Sequence, residues 1–276
     1  MADPVSAATV GLMAQSDDVK GPVWGRVLVI MPTFNERESL ERVAGHLLDT
    51  VPGVDLLVVD DNSPDGTGAI ADRLSVDNAR VHVLHREGRG GLGRAYVAGF
   101  GWAIGHGYDI VVEMDADGSH PAESLPAMLD ALTGSEPRPG LVIGSRWVRG
   151  GSVVNWPKTR EFLSRGANVY ARLALGLPAH DITAGFRAYP TALLRQLSTS
   201  VDSRGYSFQI EMTLRIFDAG YTIVEVPIVF SEREAGRSKM SSAIVIEAMA
   251  RVTRWGLGRR FGVRRGARAA ESVELT

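Results

Sequence analysis

Four times before residue 121, an apolar run rich in β-branched residues stops at a polar or glycine-rich cluster. The runs are RVLVIMPTFNE (26–36), VDLLVVDDNSPDGTG (54–68), RVHVLHR (80–86) and YDIVVEMDADGSHP (108–121). Runs this uniformly apolar are buried on both faces, which is the mark of a parallel strand. Between them lie segments with helical spacing, such as ERESLERVAGHLLDT with Leu40, Val43 and Leu47, then GAIADRLSV and AYVAGFGWAIGHG. Strand and helix in strict alternation predict an α/β fold: a mostly parallel, doubly wound sheet flanked by helices with right-handed crossovers. Ligands in such sheets bind beyond the carboxyl ends of the strands. The polar clusters fall at those ends.

The second half is less regular. GLVIGSRWV (140–148) reads as a strand, REFLSRGANVYARLALGL (160–177) as a helix, and YSFQIEMTLRIFDAG (206–220) as a helix stopped by Gly220. YTIVEVPIVF (221–230) reads as a strand, and Pro227 inside it argues for a sheet edge. SSAIVIEAMARVTRW (241–255) is amphipathic, with Ile244, Ala248, Met249, Val252 and Trp255 on one face and arginines on the other.

Composition removes several classes of chemistry. There is no cysteine, so disulfides, thiolate metal sites and cysteine nucleophiles are excluded, which suits a reducing compartment. The net charge of −2 points to no partner, but seven arginines and no acid lie between Arg251 and Arg268. No uncharged apolar stretch is long enough to span a membrane. Asp3, Asp17 and Asp18 do not fit a signal peptide, and residues 1–22 are expected to be a disordered leader. The expected division is that leader, a catalytic domain over 23–240, and the amphipathic helix with its basic tail over 241–276.

Glu113, Asp115 and Asp117 crowd the end of the fourth run. Residues i and i+2 of an extended segment point the same way, so Asp115 and Asp117 can converge on one hard cation, Mg²⁺ or Mn²⁺. An acidic surface turn is the plainer alternative. The position, at the end of a strongly apolar strand in the expected ligand crevice, favours the metal. Asp60 and Asp61 end the second run, where a carboxylate can accept hydrogen bonds from a base or ribose. Ser63, Asp65 and Gly66 also read as an ordinary turn and helix cap. REGRGGLGRA (86–95) is glycine-rich but follows the third strand, which weakens a dinucleotide-fingerprint reading.

MPTFNERESL, VVDDNSPDGTG, MDADGSHP, IGSRWVRGG, NWPKTREFLSRGAN, DITAGFRAY and EREAGRSKMS occur in that order over about residues 26–240. Together they resemble glycosyltransferase family 2, and within it the dolichol-phosphate or polyprenol-phosphate mannose synthases. The resemblance implies a GT-A (Rossmann-like) fold, a GDP-mannose donor, a divalent metal and a polyprenyl phosphate acceptor. Carried over by position, Pro32, Phe34, Glu36, Val59 and Asp61 would hold the nucleoside. Asp115, Ala116 and Asp117 would hold the metal and diphosphate. Ser119 stands where relatives often have Gln, and Phe34 where they often have Tyr. Arg146, Arg160, Ser164, Arg233 and Lys239 would lie near the donor and acceptor phosphates.

These residues suit an inverting transfer with an oxocarbenium-like transition state, as in glycoside hydrolysis. A phosphate acceptor needs no general base, because it is already anionic at neutral pH. It needs cations, and Arg146, Arg160, Arg233 and Lys239 supply them. There is no Gln-x-x-Arg-Trp, the mark of processive polysaccharide synthases in the same superfamily. UDP-glucose with the same acceptor class is the alternative donor. A non-catalytic nucleotide-sugar binder is the alternative of another class, and it leaves the acceptor cations without a use.

Other residues stay open. Asp181 reads as a contact to the sugar or to an arginine, and Arg187 as structural or functional in equal measure. Gln209 and Glu211 face the sugar or pair with an arginine, and His120 reads as a bystander beside the Asp-x-Asp. The lipid acceptor implies a position at the cytoplasmic, inner face of a membrane. Contact is made either by segment 241–255 with its arginine tail or through a separate integral membrane protein. The other reading of 241–255 is a helix packed on the core. Nucleic acid is not an expected partner, since no basic face or aromatic platform is visible.

Overall fold

The computed structural model describes residues 24–88, 90–197, 207–232 and 242–260. The first half delivers the expected alternation. Strands β1 (Val27–Thr33), β2 (Val54–Asp60), β3 (Val81–His85) and β4 (Ile110–Glu113) are separated by helices α1 (Leu40–Thr50), α2 (Thr67–Asp77) and α3 (Leu92–Gly105). Then come α4 (Leu125–Thr133), β5 (Leu141–Ser145), β6 (Ser152–Val154), α5 (Lys158–Leu175), β7 (Arg187–Pro190) and α6 (Thr191–Leu197). The chain continues with α7 (Ser207–Asp218), β8 (Ile223–Pro227), β9 (Val229–Ser231) and α8 (Ser242–Arg260).

Seven strands form one sheet in the order β3-β2-β1-β4-β7-β5-β8, and β6 pairs with β9 in a separate two-stranded ribbon. Every pairing in the main sheet is parallel except those of β7, which runs antiparallel to both β4 and β5. Sequence reading found no strand in 187–190, and β7 is the reason the second half looked irregular. As expected, β8 is an edge strand, and the run breaks at Pro227 into β8 and β9.

Alternation along each strand feeds two cores. Leu28 and Ile30 of β1 and Leu57 and Val59 of β2 pack with Tyr96, Phe100 and Phe208 on one face. Val27, Val29, Met31, Leu56 and Val58 pack with Leu40, Leu47, Leu125 and Met128 on the other. The two faces of the sheet are both covered by helices, which is why the strands read as continuous apolar runs. Helix α8 joins the first of these cores through Val252 and Trp255, and Tyr170 Oη of α5 meets Thr253 Oγ1 at 2.6 Å. Within 241–255, Val252 and Trp255 pack on the core while Ile246 stays exposed. No helix among the described residues is long and apolar enough to cross a membrane.

Candidate active site

The carboxyl ends of β1, β2, β4 and β5 open on one edge of the sheet, and reversal of β7 brings its amino end to the same edge. Two of the turns there are made by Asn35 and Asn62 at φ 58° and 56°, left-handed values that asparagine tolerates better than most residues. Asp60 is spent on local structure. Its Oδ1 accepts from Thr33 Oγ1 at 2.8 Å and Ser63 Oγ at 2.6 Å, and its Oδ2 from the Ser63 N–H at 3.0 Å. Asp61 faces the glycine-rich loop, accepting from Arg86 Nη1 and from the Gly90 N–H at 3.0 Å. Asp65 braces the next turn. Burial opposes its charge, but the hydroxyl and N–H of Thr67 and the N–H of Arg37 hold its carboxyl below the ordinary value.

Pro32, Phe34 and Glu36 are half-buried along the loop after β1, and the Glu36 N–H donates to Thr67 Oγ1 at 3.0 Å. The donor-side set thus collects at the β1 and β2 ends. Val59 is fully buried in the core, so its side chain packs beneath the crevice.

The Asp115–His120 turn forms the centre. Gly118 sits at φ 78°, where a side chain would be strained, and a Cβ there would come within 3.1 Å of Arg42 Nη2. Asp117 is buried and accepts the Ser119 N–H at 3.0 Å. Ala116 is buried, whereas the Asp115 side chain keeps 37% of its exposure. Ser119 Oγ is buried and has no hydrogen-bond partner among the described residues. An orphaned hydroxyl beside two carboxylates fits a hard cation that takes oxygen ligands. Among the described residues no group of three His, Asp or Glu could hold a metal alone. The protein would therefore supply two carboxylates and a hydroxyl and leave the remaining positions to substrate and water.

Glu113 answers to a different partner set from Asp115. It is fully buried, with Tyr189 Oη donating to Oε1 at 3.1 Å and Gln209 Nε2 to Oε2 at 2.5 Å. Burial pushes its carboxyl up to about 7, against the pull of Arg187, Gln209 and Tyr189. Gln209 therefore holds a buried acid rather than an exposed sugar site. Glu211 pairs with Arg215 at 2.7 Å. Arg187 is structural: it donates to the carbonyls of Ala184, Ile182 and Gln209 and to Thr213 Oγ1, with no solvent exposure.

On the acceptor side, Asp181 contacts an arginine. Arg146 Nε and Nη2 grip its two carboxylate oxygens at 2.7 and 2.6 Å, and the Arg146 N–H adds a third bond at 2.9 Å. Arg146, expected as a cation for phosphate, is thus largely neutralised. Its Nη1 is the guanidinium nitrogen that makes no hydrogen bond among the described residues. Arg160 lies 3.9 Å over the Trp156 ring and pairs with Glu232 at 2.9 Å. Ser164 is one turn along α5, and the next turn is tied in by Asn168, whose Nδ2 donates to Thr183 Oγ1 at 2.9 Å. Thr183 Oγ1 in turn accepts from Arg146 Nη2 at 3.1 Å. Arg146 also lies 5.6 Å from the Trp156 ring that carries Arg160, so these two cations share one ring. Arg233 and Lys239 lie outside the described residues.

His120, read as a bystander, is buried and accepts the Asp115 backbone N–H. Its ring also starts a chain of contacts across the site. His120 meets Phe230 at 5.5 Å, Phe230 meets Trp156 at 5.5 Å, and Trp156 carries Arg160 on its face.

Comparison with known proteins agrees with this architecture. The family model for glycosyl transferase family 2 matches residues 28–198. A polyprenol monophosphomannose synthase of Mycolicibacterium smegmatis is 52% identical over 243 residues, 87% of this chain and 91% of its own. An undecaprenyl-phosphate mannosyltransferase of Micrococcus luteus is 54% identical over 237 residues, 86% of this chain and 96% of its own. Among solved structures, glucosyl-3-phosphoglycerate synthase from Mycobacterium tuberculosis, in complex with Mn²⁺, UDP-glucose and phosphoglyceric acid, superposes with a TM-score of 0.61. That pair is 25% identical over 86% of this chain and 80% of that one. On the family model and on identity above one half across nearly all of both relatives, this chain belongs to glycosyl transferase family 2.

Proposed function

We propose that the protein is an inverting, metal-dependent mannosyltransferase that moves mannose from GDP-mannose to a polyprenyl phosphate at the cytoplasmic face of a membrane. One geometric observation carries the reading. The ring chain His120–Phe230–Trp156 sets the Asp115–Ser119 loop within a few side chains of Arg146 and Arg160, so a diphosphate and an acceptor phosphate can meet. The names of the two relatives supply the sugar and the lipid class.

Asp115, Asp117 and the Ser119 hydroxyl would hold Mg²⁺ or Mn²⁺, which when bound neutralises charge on the leaving diphosphate. Pro32, Phe34, Glu36, Val59 and Asp61 form the nucleoside end. Arg146 through Nη1, Arg160 and Ser164 orient the acceptor phosphate. Arg233 and Lys239, which lie outside the described residues, would add two further cations to that set. An oxygen of the acceptor phosphate attacks the anomeric carbon opposite the diphosphate. The new C–O bond forms as the C–O bond to the β-phosphate breaks, and GDP leaves with the electron pair. The acceptor arrives as an anion, so no side chain need remove a proton.

The membrane contact falls on α5 in this reading. Helix α8 turns Val252 and Trp255 into the core and exposes Ile246 and Leu257, whereas α5 leaves four large apolar side chains exposed, Phe162, Leu163, Val169 and Leu173, with Lys158 and Arg165 beside them. The deciding experiment is a transfer assay with purified protein, Mg²⁺ or Mn²⁺, labelled GDP-mannose or UDP-glucose, and a short polyprenyl phosphate. Metal-dependent lipid label from GDP-mannose alone, lost in Asp117→Ala, is the expected result. Label from UDP-glucose, or label that survives EDTA, refutes it.

A further inference from the structure

His120 has the geometry of a group that holds a metal ligand rather than of a core filler. Its Nδ1 accepts the Asp115 backbone N–H at 3.0 Å. A backbone amide can only donate, so Nδ1 carries no proton and the neutral ring bears its hydrogen on Nε2. Nε2 faces the carboxylate of the same residue, 4.0 Å from Asp115 Oδ2. That separation is too long for a direct hydrogen bond, so any influence of the N–H on the carboxylate acts through space.

The ring cannot turn away from this task. It stacks on Phe186 at 5.2 Å and 13° between planes, and the edge of Phe230 closes on it at 5.5 Å and 70°. Only 4% of the residue is exposed. Gly185 keeps the space beside the ring open: a Cβ there would lie 3.4 Å from His120 Cε1 and 3.7 Å from Asp115 Oδ2. The Asp115 side chain keeps 37% of its exposure, whereas its neighbour Asp117 is buried and accepts the Ser119 N–H. Of the two carboxylates, that of Asp115 is the one 4.0 Å from the His120 ring nitrogen.

We propose that His120 is a positioning residue for Asp115, gripping its backbone through Nδ1 and aiming its carboxylate through Nε2–H. The inference rests on the function proposed above in one respect, that Asp115 holds a divalent cation. Outer-shell partners of this kind typically change metal affinity by about 10–100-fold.

Three measurements test it together. Heteronuclear NMR of ¹⁵N-histidine-labelled protein, without metal, reads the ring directly, and the Nε2–H tautomer is expected for His120. Free Mn²⁺ is titrated by electron paramagnetic resonance in the presence of GDP for the parent, His120→Asn and His120→Phe. Asn retains an acceptor near Nδ1, and Phe retains only the stacking. The dissociation constant for Mn²⁺ is expected to rise about 10–100-fold in His120→Phe and less in His120→Asn, with melting temperatures recorded alongside. A Nδ1–H tautomer, or Mn²⁺ affinity in both variants within about twofold of the parent, overturns the proposal. If His120→Phe does not fold, the tautomer and the Asn variant still decide. A parent that binds no Mn²⁺ with GDP removes the metal reading itself, a different result from a parent that binds and variants that bind equally.

Discussion

Asp181 meets Arg146 across 35 residues of chain through two parallel charge-assisted bonds, with side-chain exposures of 0% and 9%. Glu225 holds the other side of the pair by accepting the Asp181 N–H at 2.9 Å. Removing one partner of a buried pair leaves an uncompensated charge. Asp181→Ala is therefore expected to lower stability by about 3–5 kcal/mol, read as a lower urea midpoint. The double variant Arg146→Met/Asp181→Leu is expected to recover most of that loss. A single variant no worse than the double sinks the argument.

Glu113 sets a pH dependence. Its folded-state value, about 7, stands above the ordinary 4.5 because of burial. Between those values the unfolded chain has released a proton that the folded protein still holds, so ionisation favours unfolding as pH rises. At about 1.4 kcal/mol per pH unit per proton, the parent is expected to lose on the order of 3 kcal/mol relative to Glu113→Gln across that window. Denaturation of metal-free protein at pH 4.5 and at pH 7.5 measures it. A stability difference between parent and variant that is flat with pH refutes the burial argument.

Gly256 lies where α8 crosses α5. In an exposed helix, alanine for glycine gains about 1 kcal/mol. Here the new Cβ would stand 2.6 Å from the Ala174 carbonyl oxygen, so the helices must part. Overpacking of this kind costs about 1–3 kcal/mol. Gly256→Ala is expected to lower the melting temperature, and a rise would mean that the α5–α8 contact is loose.

The exposed face of α5 makes a prediction about lipid. Phe162 is 76% exposed and Leu173 74%. Each apolar side chain that enters the acyl boundary contributes on the order of 1–2 kcal/mol. Phe162→Ser/Leu173→Ser is expected to weaken sedimentation with anionic vesicles by about tenfold or more, with folding unchanged. Equal binding by parent and variant would move the contact elsewhere on the molecule.

Most of the donor half was legible in sequence, because hydrophobic period and turn chemistry are local signals. The β1, β2 and β4 ends, the Asp115–Asp117 pair and the loop turns all lie within such stretches. What was hidden depended on distance along the chain. Strand β7 is four residues long and begins with a charged residue, Arg187, that is fully buried. No hydropathy pattern marks a strand like that. The partners of Glu113 lie 76 and 96 residues away, and those of Arg146 beyond 34. His120 looked idle because its bond is to the backbone of Asp115, which side-chain spacing does not reveal. The resemblance supplied the acceptor residues. The structure added that Arg146 arrives already paired.

Strand β7, the one reversed member of the main sheet, stands between the strands of the two halves of the chain. Among the described residues, those expected on the donor side all precede His120, and the expected acceptor residues Arg146 and Arg160 come after β5 begins. The two parts meet in the sheet only through the short ladders of β7 with β4 and β5. An exchange of the later half between relatives would have to preserve that seam together with the side chains packed across it, Phe208 in the core of β1 and β2 and Gln209 on Glu113. The two halves of the molecule are thus constrained to change together.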